Sequence, residues 1–417
     1  MSRKLKIAFI WMVYMPVVFA TYFIVWLDRK VKFRLSFPRD LNELAKKESW
    51  CIAELKANGV LVNDAIVNSY KVTPLNQDII FRSNAGTIEI SYTEKSEQKT
   101  LRCFAKFAPV TGTVWNKTIF NLQLNHIKEI AFNQNFGDDA SDFIPKVFVA
   151  KLGFITGNLC LITELMDDCI EFKEGAYTNF TDEHLNMVLK GLATLHARYW
   201  KEKSARMEKI LPIEDSTLLL FDSIVASTWS EAARKILFQS WHNMNEFQTV
   251  LHGDSRIGNM MFPKDENHGR FVLLDWQAVR KGKAVYDLAY FNVLSLTPDN
   301  RKQTEAKSLE TYYNYLVANG VSDYTKEEMM NDYQHACLCV LVLLSLPYLS
   351  GEASAEGAGV EIFARGMDGW REKMQIKFSQ FDYAWLAKNY SLTEMEAHNA
   401  VNEMLNVIDR RVKALVN

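Results

Sequence analysis

The spacing of apolar residues changes part-way along this chain, and the change limits the folds open to it. Over residues 70–107 apolar and polar residues alternate, interrupted by the turns SNAG and EKSEQK, which is typical of half-buried antiparallel strands. Over residues 182–200 apolar residues recur at helical spacing, and helices are predicted again from residue 287, the last over 393–416. These patterns predict an α+β fold in which a small antiparallel-sheet lobe precedes a mainly helical lobe.

Further elements are predicted around the sheet. A short helix fits residues 40–58, with Gly59 as its C-cap, and another helix fits residues 116–135. A strand over 146–150 and the apolar run over 159–165 complete the first lobe. The chain is therefore predicted to consist of three segments, which are residues 1–40, 41–166 and 167–417.

An apolar run without a charged residue occupies positions 7–27. At about 1.5 Å per helical residue, this run matches a hydrocarbon core of ~30 Å. We therefore expect a single-pass membrane anchor followed by a basic linker. A buried N-terminal helix and a cleaved signal peptide are the alternatives, and the length of the run disfavours the signal peptide. More Lys and Arg residues follow the run than precede it, which favours a cytosolic C-terminal body.

Charge and cysteine usage argue against other classes of protein. A formal net charge of -2 gives no general electrostatic reason to expect nucleic-acid binding. The six cysteines lack both the paired spacing of a zinc site and the density of a disulfide scaffold. They are predicted to be reduced thiols, most of them buried.

The stretch VLHGDSRIGNMMF, residues 250–262, places Asp254 five positions before Asn259. This is the spacing of a loop in which the Asp accepts the proton of an attacking hydroxyl and the Asn gives an oxygen to magnesium. Asp275 follows the apolar run FVLL, so a short strand is expected to place its carboxylate at a metal that bridges nucleotide phosphates. Phosphoryl transfer needs such groups, because several negative charges must be brought together and an alcohol positioned in line.

Two neighbours of this loop are interpreted as structural. His252 is expected to shape the loop through hydrogen bonds and not to act as the base. Asp287, in AVYDLAYF, is expected to anchor the loop or to begin a helix as its N-cap, and both readings can hold together.

Lys106 and Glu129 are the candidate pair for binding nucleotide phosphates. A lysine on a strand, as in LRCFAKF, grips the α- and β-phosphates as a point charge and needs a carboxylate to hold it there. Ordinary surface charges are the alternative interpretation. The candidate phosphate-covering turn is RSNAGT, in which Gly86 would bring backbone N–H groups close to the ligand.

Together these residues resemble the aminoglycoside phosphotransferase and choline kinase-like superfamily, and within it the ecdysteroid kinase-like branch. LHGDSRIGNMMF is similar to its catalytic loop, LLDWQAVRKGKAVYDLAYF to its metal-binding segment and next helix, and LATLHARYW to the helix before the active site. The resemblance covers about residue 76 to beyond residue 291. It implies a protein-kinase-like two-lobed fold, and transfer of the γ-phosphoryl group of ATP, with Mg²⁺, to a hydroxyl of a small molecule.

The resemblance implies a role for each site residue: Asp254 is the base, Asn259 and Asp275 bind magnesium, Lys106 binds phosphates, and Glu129 is its partner. In the run LITELM, backbone groups near Glu164 and Met166 would meet the adenine. The chain departs from the family in its glycine-poor nucleotide loop and in the Trp-Gln pair after Asp275.

The acceptor is a small-molecule alcohol, since the resemblance implies substrates such as cationic alcohols, aminosugars and steroids. An aromatic-rich C-terminal half would line an acceptor pocket or fill a core. Its residues are Trp370, Phe378, Phe381, Tyr383 and Trp385.

Two hypotheses follow from these motifs. The first is a membrane-anchored, magnesium-dependent small-molecule kinase. The alternative is a catalytically inactive pseudokinase or ligand-binding scaffold, against which the retention of Asp254, Asn259, Asp275 and Lys106 argues. Protein kinase activity is disfavoured, because DWQ leads within a dozen residues into AVYDLAYF and leaves no room for an activation loop.

Overall fold

The structure is a computed structural model, and its contacts divide the chain into two compact units. The sheet unit comprises Met12–Cys169 and Leu274–Ala278, and the helical unit comprises Met1–Trp11, Ile170–Leu273 and Val279–Asn417. The residues that the structure describes are 3–33, 35–75, 84–108, 114, 117–118, 121, 125–153, 156–172, 180–210, 229–265, 269–296, 298–345 and 382–416.

The sheet unit contains a five-stranded antiparallel sheet in the order β1-β2-β3-β5-β4. Its strands are β1 (Ile66–Pro74), β2 (Asn84–Glu94), β3 (Glu97–Phe107), β4 (Val147–Gly153) and β5 (Asn158–Glu164). Lys95 and Ser96 connect β2 to β3 with φ values of 48° and 69°. Positive φ at both positions is the geometry of a two-residue turn whose twist matches that of the strands.

Helices cover both faces of this sheet. They are α2 (Leu41–Lys46), α3 (Glu48–Ala57) and α4 (Asn125–Phe136). On β5, Cys160 and Ile162 belong to the core formed with α2 and α3, whereas Leu159 and Leu161 pack with Ile130 of α4. Successive residues of a strand point to opposite faces, so the two layers of helix lie on opposite sides of β5.

The helix predicted over residues 40–58 is present as α2 and α3, with Asp40 as the N-cap of α2. Gly59 follows α3 with a φ of 70°, as a C-terminal glycine should. Of the helix predicted over 116–135, the part from residue 125 is present as α4, which ends one residue later than expected. Residues 116, 119–120 and 122–124 lie outside the described residues.

The helical unit is built from seven helices in its described part. They are α5 (Asp182–Arg198), α6 (Glu231–Met244), α7 (Val285–Ser295), α8 (Pro298–Ala318), α9 (Lys326–Ser345), α10 (Tyr383–Tyr390) and α11 (Glu394–Val416). Nearly every residue of α7 is buried, which makes it the central helix of this unit. The expected change from sheet to helix along the chain is therefore confirmed.

Short strands and single turns connect these helices. The strands are β6 (Cys169–Glu171), β7 (Thr249–Leu251), β8 (Met260–Pro263), β9 (Val272–Leu273) and β10 (Arg280–Gly282). β7 pairs with β10 and β8 pairs with β9, both antiparallel. Both pairs bracket residues 252–259, so they fix the two ends of the loop that carries the sequence motif.

The membrane span predicted for residues 7–27 falls on α1 (Arg3–Val31). Within the described parts of the chain, no helix combines the length and apolar character that crossing a membrane requires, so this prediction is not supported. In the second half of α1, Val18 and Val25 are buried, whereas Phe19, Phe23 and Trp26 are exposed. Asp28, only 4% exposed, accepts hydrogen bonds from Arg39 and Asn158 of the sheet unit.

All six cysteines are buried and free, as predicted. Of the aromatic residues suggested for an acceptor pocket, Trp370, Phe378 and Phe381 lie outside the described residues. Trp385 packs its ring against His335 in the helical unit, and Tyr383 packs against His398. Both side chains are half-buried, so they pack within the helical unit without belonging to its buried core.

Candidate active site

The loop that carries Asp254 is held by a buried carboxylate on the central helix. Asp287 accepts a hydrogen bond from the backbone N–H of His252 at 2.7 Å through Oδ2 and from that of Gly253 at 2.9 Å through Oδ1. The Ser255 hydroxyl donates to the Asp287 carbonyl oxygen at 2.7 Å. Asp287 lies in the first turn of α7, whose N-cap is Ala284. It therefore anchors the loop and is not itself the N-cap.

Asp287 is in turn held by a histidine on α5. The ring of His196 shares a hydrogen bond with Asp287 Oδ2 at 3.1 Å and another with the Tyr312 hydroxyl at 2.6 Å. Burial alone would raise the pKa of Asp287, but the bonds from His196 and the loop outweigh it and hold the pKa below its ordinary value. The sequence gives no sign of this link, because His196 and Tyr312 are far from the loop along the chain.

Asn259 ties the far end of the loop back to Asp254. Its Nδ2 donates to the Asp254 carbonyl oxygen at 2.8 Å and to Asp254 Oδ2 at 2.9 Å. Asn259 is 4% exposed and stands in a single 3-10 turn, Ile257–Asn259. Because the amide nitrogen faces Asp254, the amide oxygen of Asn259 is left to act as an acceptor or a metal ligand.

Three further side chains touch Asp254. Arg256 Nε lies 3.2 Å from Oδ1, and the backbone N–H of Asp254 donates to His252 Nδ1 at 3.3 Å. The Tyr290 hydroxyl also bonds to the carboxylate, and burial together with the Asp254 charge raises the pKa of Tyr290. His252 is fully buried and takes part in the loop's own bonding, in agreement with its interpretation as a loop-shaping residue.

In the sheet unit, Lys106 bridges two carboxylates. Its Nζ lies 2.7 Å from Glu129 Oε1 and 2.7 Å from Asp275 Oδ1. The Lys106 side chain is 11% exposed and that of Glu129 is 2% exposed. The structure thus brings Lys106 and Glu129 together, and it adds a contact with Asp275 that the sequence did not suggest.

The charges of this cluster oppose the cost of burial. Burial disfavours the charged form of Lys106, but Asp275 and then Glu129 outweigh it and raise the pKa of the ammonium. Burial raises the pKa of Glu129, and the Lys106 ammonium works against that rise. His126, one turn before Glu129 on α4, has its pKa lowered to about 3 by burial and by the charge of Lys106, so it is neutral.

Aromatic stacking fixes Asp275 beside α4. Phe132 and Trp276 stack with ring centroids 3.8 Å apart and planes 7° apart. Phe132 stands three residues after Glu129, so both project from one face of α4. Asp275 itself has a φ of 64°, in the left-handed region that Asp adopts more readily than most residues. Gln277 Nε2 donates to Asp275 Oδ2 at 3.2 Å.

The expectation for Gly86 requires a correction. Gly86 lies within β2, where it pairs with Pro74 of β1 and Ala105 of β3, and not in a turn. A Cβ at this position would stand 2.6 Å from the Thr73 carbonyl oxygen and 3.0 Å from Leu41. Close packing therefore explains this glycine. Residues 82 and 83 of the expected turn lie outside the described residues.

The two residues expected to meet adenine stand where the sheet ends. Glu164 closes β5, its N–H donates to the Lys146 carbonyl oxygen at 2.9 Å, and its own carbonyl accepts from the Thr163 hydroxyl at 3.0 Å. Met166 is 9% exposed, and its carbonyl oxygen accepts from the Cys169 N–H. The chain passes from the sheet unit to the helical unit just beyond, between Cys169 and Ile170.

The donors available for a metal are carboxylate and amide oxygens, which magnesium prefers. They are Asp275, exposed by 27% of its side chain, and the Asn259 amide oxygen. Among the described residues, no three His, Cys, Asp or Glu side chains form a group that could hold a metal ion. Each of these donors is an oxygen atom of the kind that magnesium prefers, and one belongs to the sheet unit and the other to the helical unit.

The structure thus contains an antiparallel sheet that carries a buried lysine–glutamate pair and a helical unit that carries an Asp–Asn loop. The ecdysteroid kinase-like family model matches residues 171–320. The matched stretch contains Asp254, Asn259 and Asp275, so the resemblance indicated by the motifs is confirmed there. No protein among those with curated functions matches the chain.

Similar solved structures have low sequence identity. An ethanolamine kinase from Plasmodium vivax is 14% identical, with 82% of this chain and 98% of that chain covered and a TM-score of 0.46. A GDP complex of wild-type aminoglycoside 2′-phosphotransferase-IIIa is 13% identical, with 80% and 100% covered and a TM-score of 0.46. A macrolide 2′-phosphotransferase from Brachybacterium faecium is 12% identical, with 79% and 98% covered and a TM-score of 0.43.

Proposed function

We propose that this protein is an ATP- and magnesium-dependent phosphotransferase that moves the γ-phosphoryl group to a hydroxyl of a small molecule. Residues 41–166 provide the nucleotide-binding part, and residues 167–417 provide the catalytic loop and the acceptor site. The proposal is supported by the match to the ecdysteroid kinase-like family over residues 171–320.

The observation that carries the proposal is the position of Lys106. A buried ammonium held between Glu129 and Asp275, at 2.7 Å from each, is costly to desolvate and adds little to stability compared with apolar packing. Nucleotide binding accounts for this arrangement, because the phosphates of a nucleotide need a cation that is held in a fixed position. We assign phosphate binding to Lys106 and the orientation of Lys106 to Glu129.

Asp254 is the catalytic base. The acceptor oxygen attacks the γ-phosphorus while the bond from that phosphorus to the bridging oxygen of the β-phosphate breaks, and ADP leaves. The hydroxyl proton passes to the Asp254 carboxylate. Asn259 and Tyr290 hold the carboxylate during this step, and Asp287 holds the backbone of the loop. Arg256 must move away from Asp254 Oδ1 so that the acceptor hydroxyl can donate its hydrogen bond to that oxygen.

Magnesium, when bound, neutralises phosphate charge as it develops in the transition state. We propose Asp275 and the Asn259 amide oxygen as its protein ligands. Asp275 would hold the metal through its carboxylate, and Lys106, which donates to Asp275 Oδ1, would bind the phosphates. Backbone groups near Glu164 and Met166 are the proposed contacts of the adenine.

Thermal unfolding of the full chain tests this proposal. ATP with magnesium should raise the Tm, since a ligand at a hundred times its Kd stabilises the folded state by about 2.7 kcal/mol. Adenosine with magnesium, which lacks the phosphates, is the matched control and should give a smaller shift. The Lys106→Met variant should lose most of the difference between the two ligands. An identical Tm with and without ATP and magnesium would contradict the site.

A further inference from the structure

Arg280 is a buried cation in the helical unit that has no role in the function proposed above. It begins β10, pairs with Leu251 of β7, and is 5% exposed. Its guanidinium carbon lies 3.8 Å from the ring centroid of Tyr286 on α7 and 5.5 Å from that of Trp241 on α6. Two aromatic faces thus hold the guanidinium plane in place.

The polar atoms of these three side chains are buried without hydrogen-bond partners. They are Nε and Nη2 of Arg280, Nε1 of Trp241 and the hydroxyl oxygen of Tyr286, none of which bonds to any atom in the described part of the chain. Each of the four carries a hydrogen that it can donate. Four unpaired donors on three neighbouring side chains are unusual, since buried polar groups nearly always have partners.

The nearby charges do not neutralise Arg280. Among the described residues, no carboxylate forms an ion pair with it. Cys339 of α9 stands close enough for Arg280 to oppose the rise that burial causes in its thiol pKa, which reaches about 12, so this thiol stays neutral. Aromatic stacking offsets part of the cost of burying the charge, but it accepts no N–H hydrogen bond in the guanidinium plane.

We propose that Arg280, Trp241 and Tyr286 bind a compact oxyanion, such as a carboxylate, sulfate or phosphate group. An oxyanion supplies acceptors only, which is what four unpaired donors on a cation and its two stacked neighbours require. Arg presents its donors in a planar fork that suits the two oxygens of such a group. An ammonium group is disfavoured there, because it brings donors and a like charge.

Two kinds of ligand carry such an oxyanion. One is an acceptor molecule with an acidic substituent, and the other is a free inorganic anion. Tyr286 links the oxyanion site to the loop, since it directly precedes Asp287, which accepts hydrogen bonds from the backbone N–H groups of His252 and Gly253. Arg280 is also paired with the strand that ends three residues before Asp254. Binding of an acidic acceptor rests on the proposed kinase function. Binding of an inorganic anion does not depend on that function.

Thermal unfolding of the full chain with inorganic sulfate is the first test. Wild type and Arg280→Met are compared in sulfate and in chloride of equal ionic strength, because sulfate stabilises most proteins non-specifically. The rise in Tm on exchange of chloride for sulfate should be several degrees larger in wild type, and sulfate affinity should fall at least tenfold in the variant. Equal rises would show that a bound water or packing alone satisfies Arg280, and would overturn the proposal.

If Arg280→Met does not fold, variants that each remove one hydrogen-bond donor test the same proposal. Tyr286→Phe and Trp241→Phe retain an aromatic ring and remove the hydroxyl and the indole N–H. Each should weaken sulfate binding severalfold. Unchanged sulfate affinity in both would refute the site.

The second test separates the two sources. A hydroxylated bile acid and its methyl ester are offered with ATP and magnesium to wild type and to Arg280→Lys, which keeps the charge but loses the fork. An acceptor substituent predicts that the acid has the lower KM in wild type and that this advantage shrinks at least tenfold in the variant. If wild type binds sulfate but has the same KM for the acid and its methyl ester, the site binds a free anion. Failure of the proposed kinase activity would leave the sulfate result unaffected.

Discussion

The Asn259 side chain binds Asp254 at two atoms, its carbonyl oxygen at 2.8 Å and its Oδ2 at 2.9 Å. The residue that positions the loop thus also orients the carboxylate at its centre. The amide of Asn259 holds Oδ2 of the Asp254 carboxylate, and Arg256 Nε lies 3.2 Å from Oδ1 and 3.4 Å from Oδ2. The carboxylate is therefore pre-oriented before any acceptor binds, which is what a general base requires.

Replacement of Asp254 by Asn should remove the base and leave the fold intact. A positioned base contributes about 10²–10⁴-fold to rate, so we expect kcat to fall by that factor. The Kd for ATP with magnesium should change less than about threefold, because Asp254 acts on the acceptor and not on the nucleotide. Single-turnover kinetics and isothermal titration measure the two quantities. Equal losses in both would contradict the role of Asp254 as the base.

The ion pair of Lys106 and Glu129 should be measurable as a coupling energy. Glu129→Gln leaves a buried ammonium with Asp275 as its remaining partner, and we expect a loss of about 3 kcal/mol in the free energy of unfolding. Lys106→Met should cost a similar amount, because it leaves the Glu129 carboxylate buried.

The double variant completes this cycle. The losses of the two single variants should not add, and the cycle should show at least about 1 kcal/mol of coupling in urea unfolding. Strictly additive losses would mean that the two side chains do not interact in solution.

The Asp287 anchor predicts a stability difference that depends on pH. Its pKa is held below the ordinary value of 3.8, so the folded state favours the ionised form. The stabilisation is therefore fully present above about pH 4 and disappears as the pH falls through the lowered pKa. We expect wild type to exceed Asp287→Asn in unfolding free energy at pH 6, and the difference to shrink below pH 4. A difference that grows on acidification would contradict this sign.

Gly86→Ala should separate steric packing from backbone freedom. The added methyl group meets the Thr73 carbonyl oxygen at 2.6 Å, so we expect a loss of about 1–3 kcal/mol. Gly59→Ala is the comparison, because its Cβ meets nothing within 4 Å but its φ is 70°. That variant should lose about 1 kcal/mol through conformation alone. A smaller loss for Gly86→Ala than for Gly59→Ala would refute the close contact.

The local features of the fold followed from the sequence, because they depend on short-range patterns. Alternation over residues 70–107 predicted strands that are present as β2 and β3, and helical spacing after residue 182 predicted α5. The spacing of Asp254 and Asn259 placed them on one loop. Their mutual hydrogen bonds then follow, since five residues and one turn separate them.

The contacts that the sequence did not reveal join residues far apart along the chain. Lys106 and Asp275 are 169 positions apart, and His196 and Tyr312 are 116 apart. Each is an ordinary residue in its own segment, and only the fold brings the partners together. Composition alone also does not show how the apolar run over residues 7–27 is used, since Val18 and Val25 of α1 are buried whereas Met12, Phe19 and Phe23 are exposed. Gly86 fits a turn and a crowded strand equally well, and only the position of Thr73 distinguishes them.

Transfer of radiolabelled γ-phosphate from ATP to hydroxylated small molecules tests the central claim most directly. Pools of alcohols, aminosugars and steroids are incubated with ATP and magnesium, with wild type in one series and Asp254→Asn in the other. We predict a labelled product with wild type and at least a hundredfold less with the variant, with the label on a hydroxyl oxygen. Wild-type protein that binds ATP with magnesium yet labels no pool, or labels it equally after Asp254→Asn, would contradict the account and favour a nucleotide-binding scaffold.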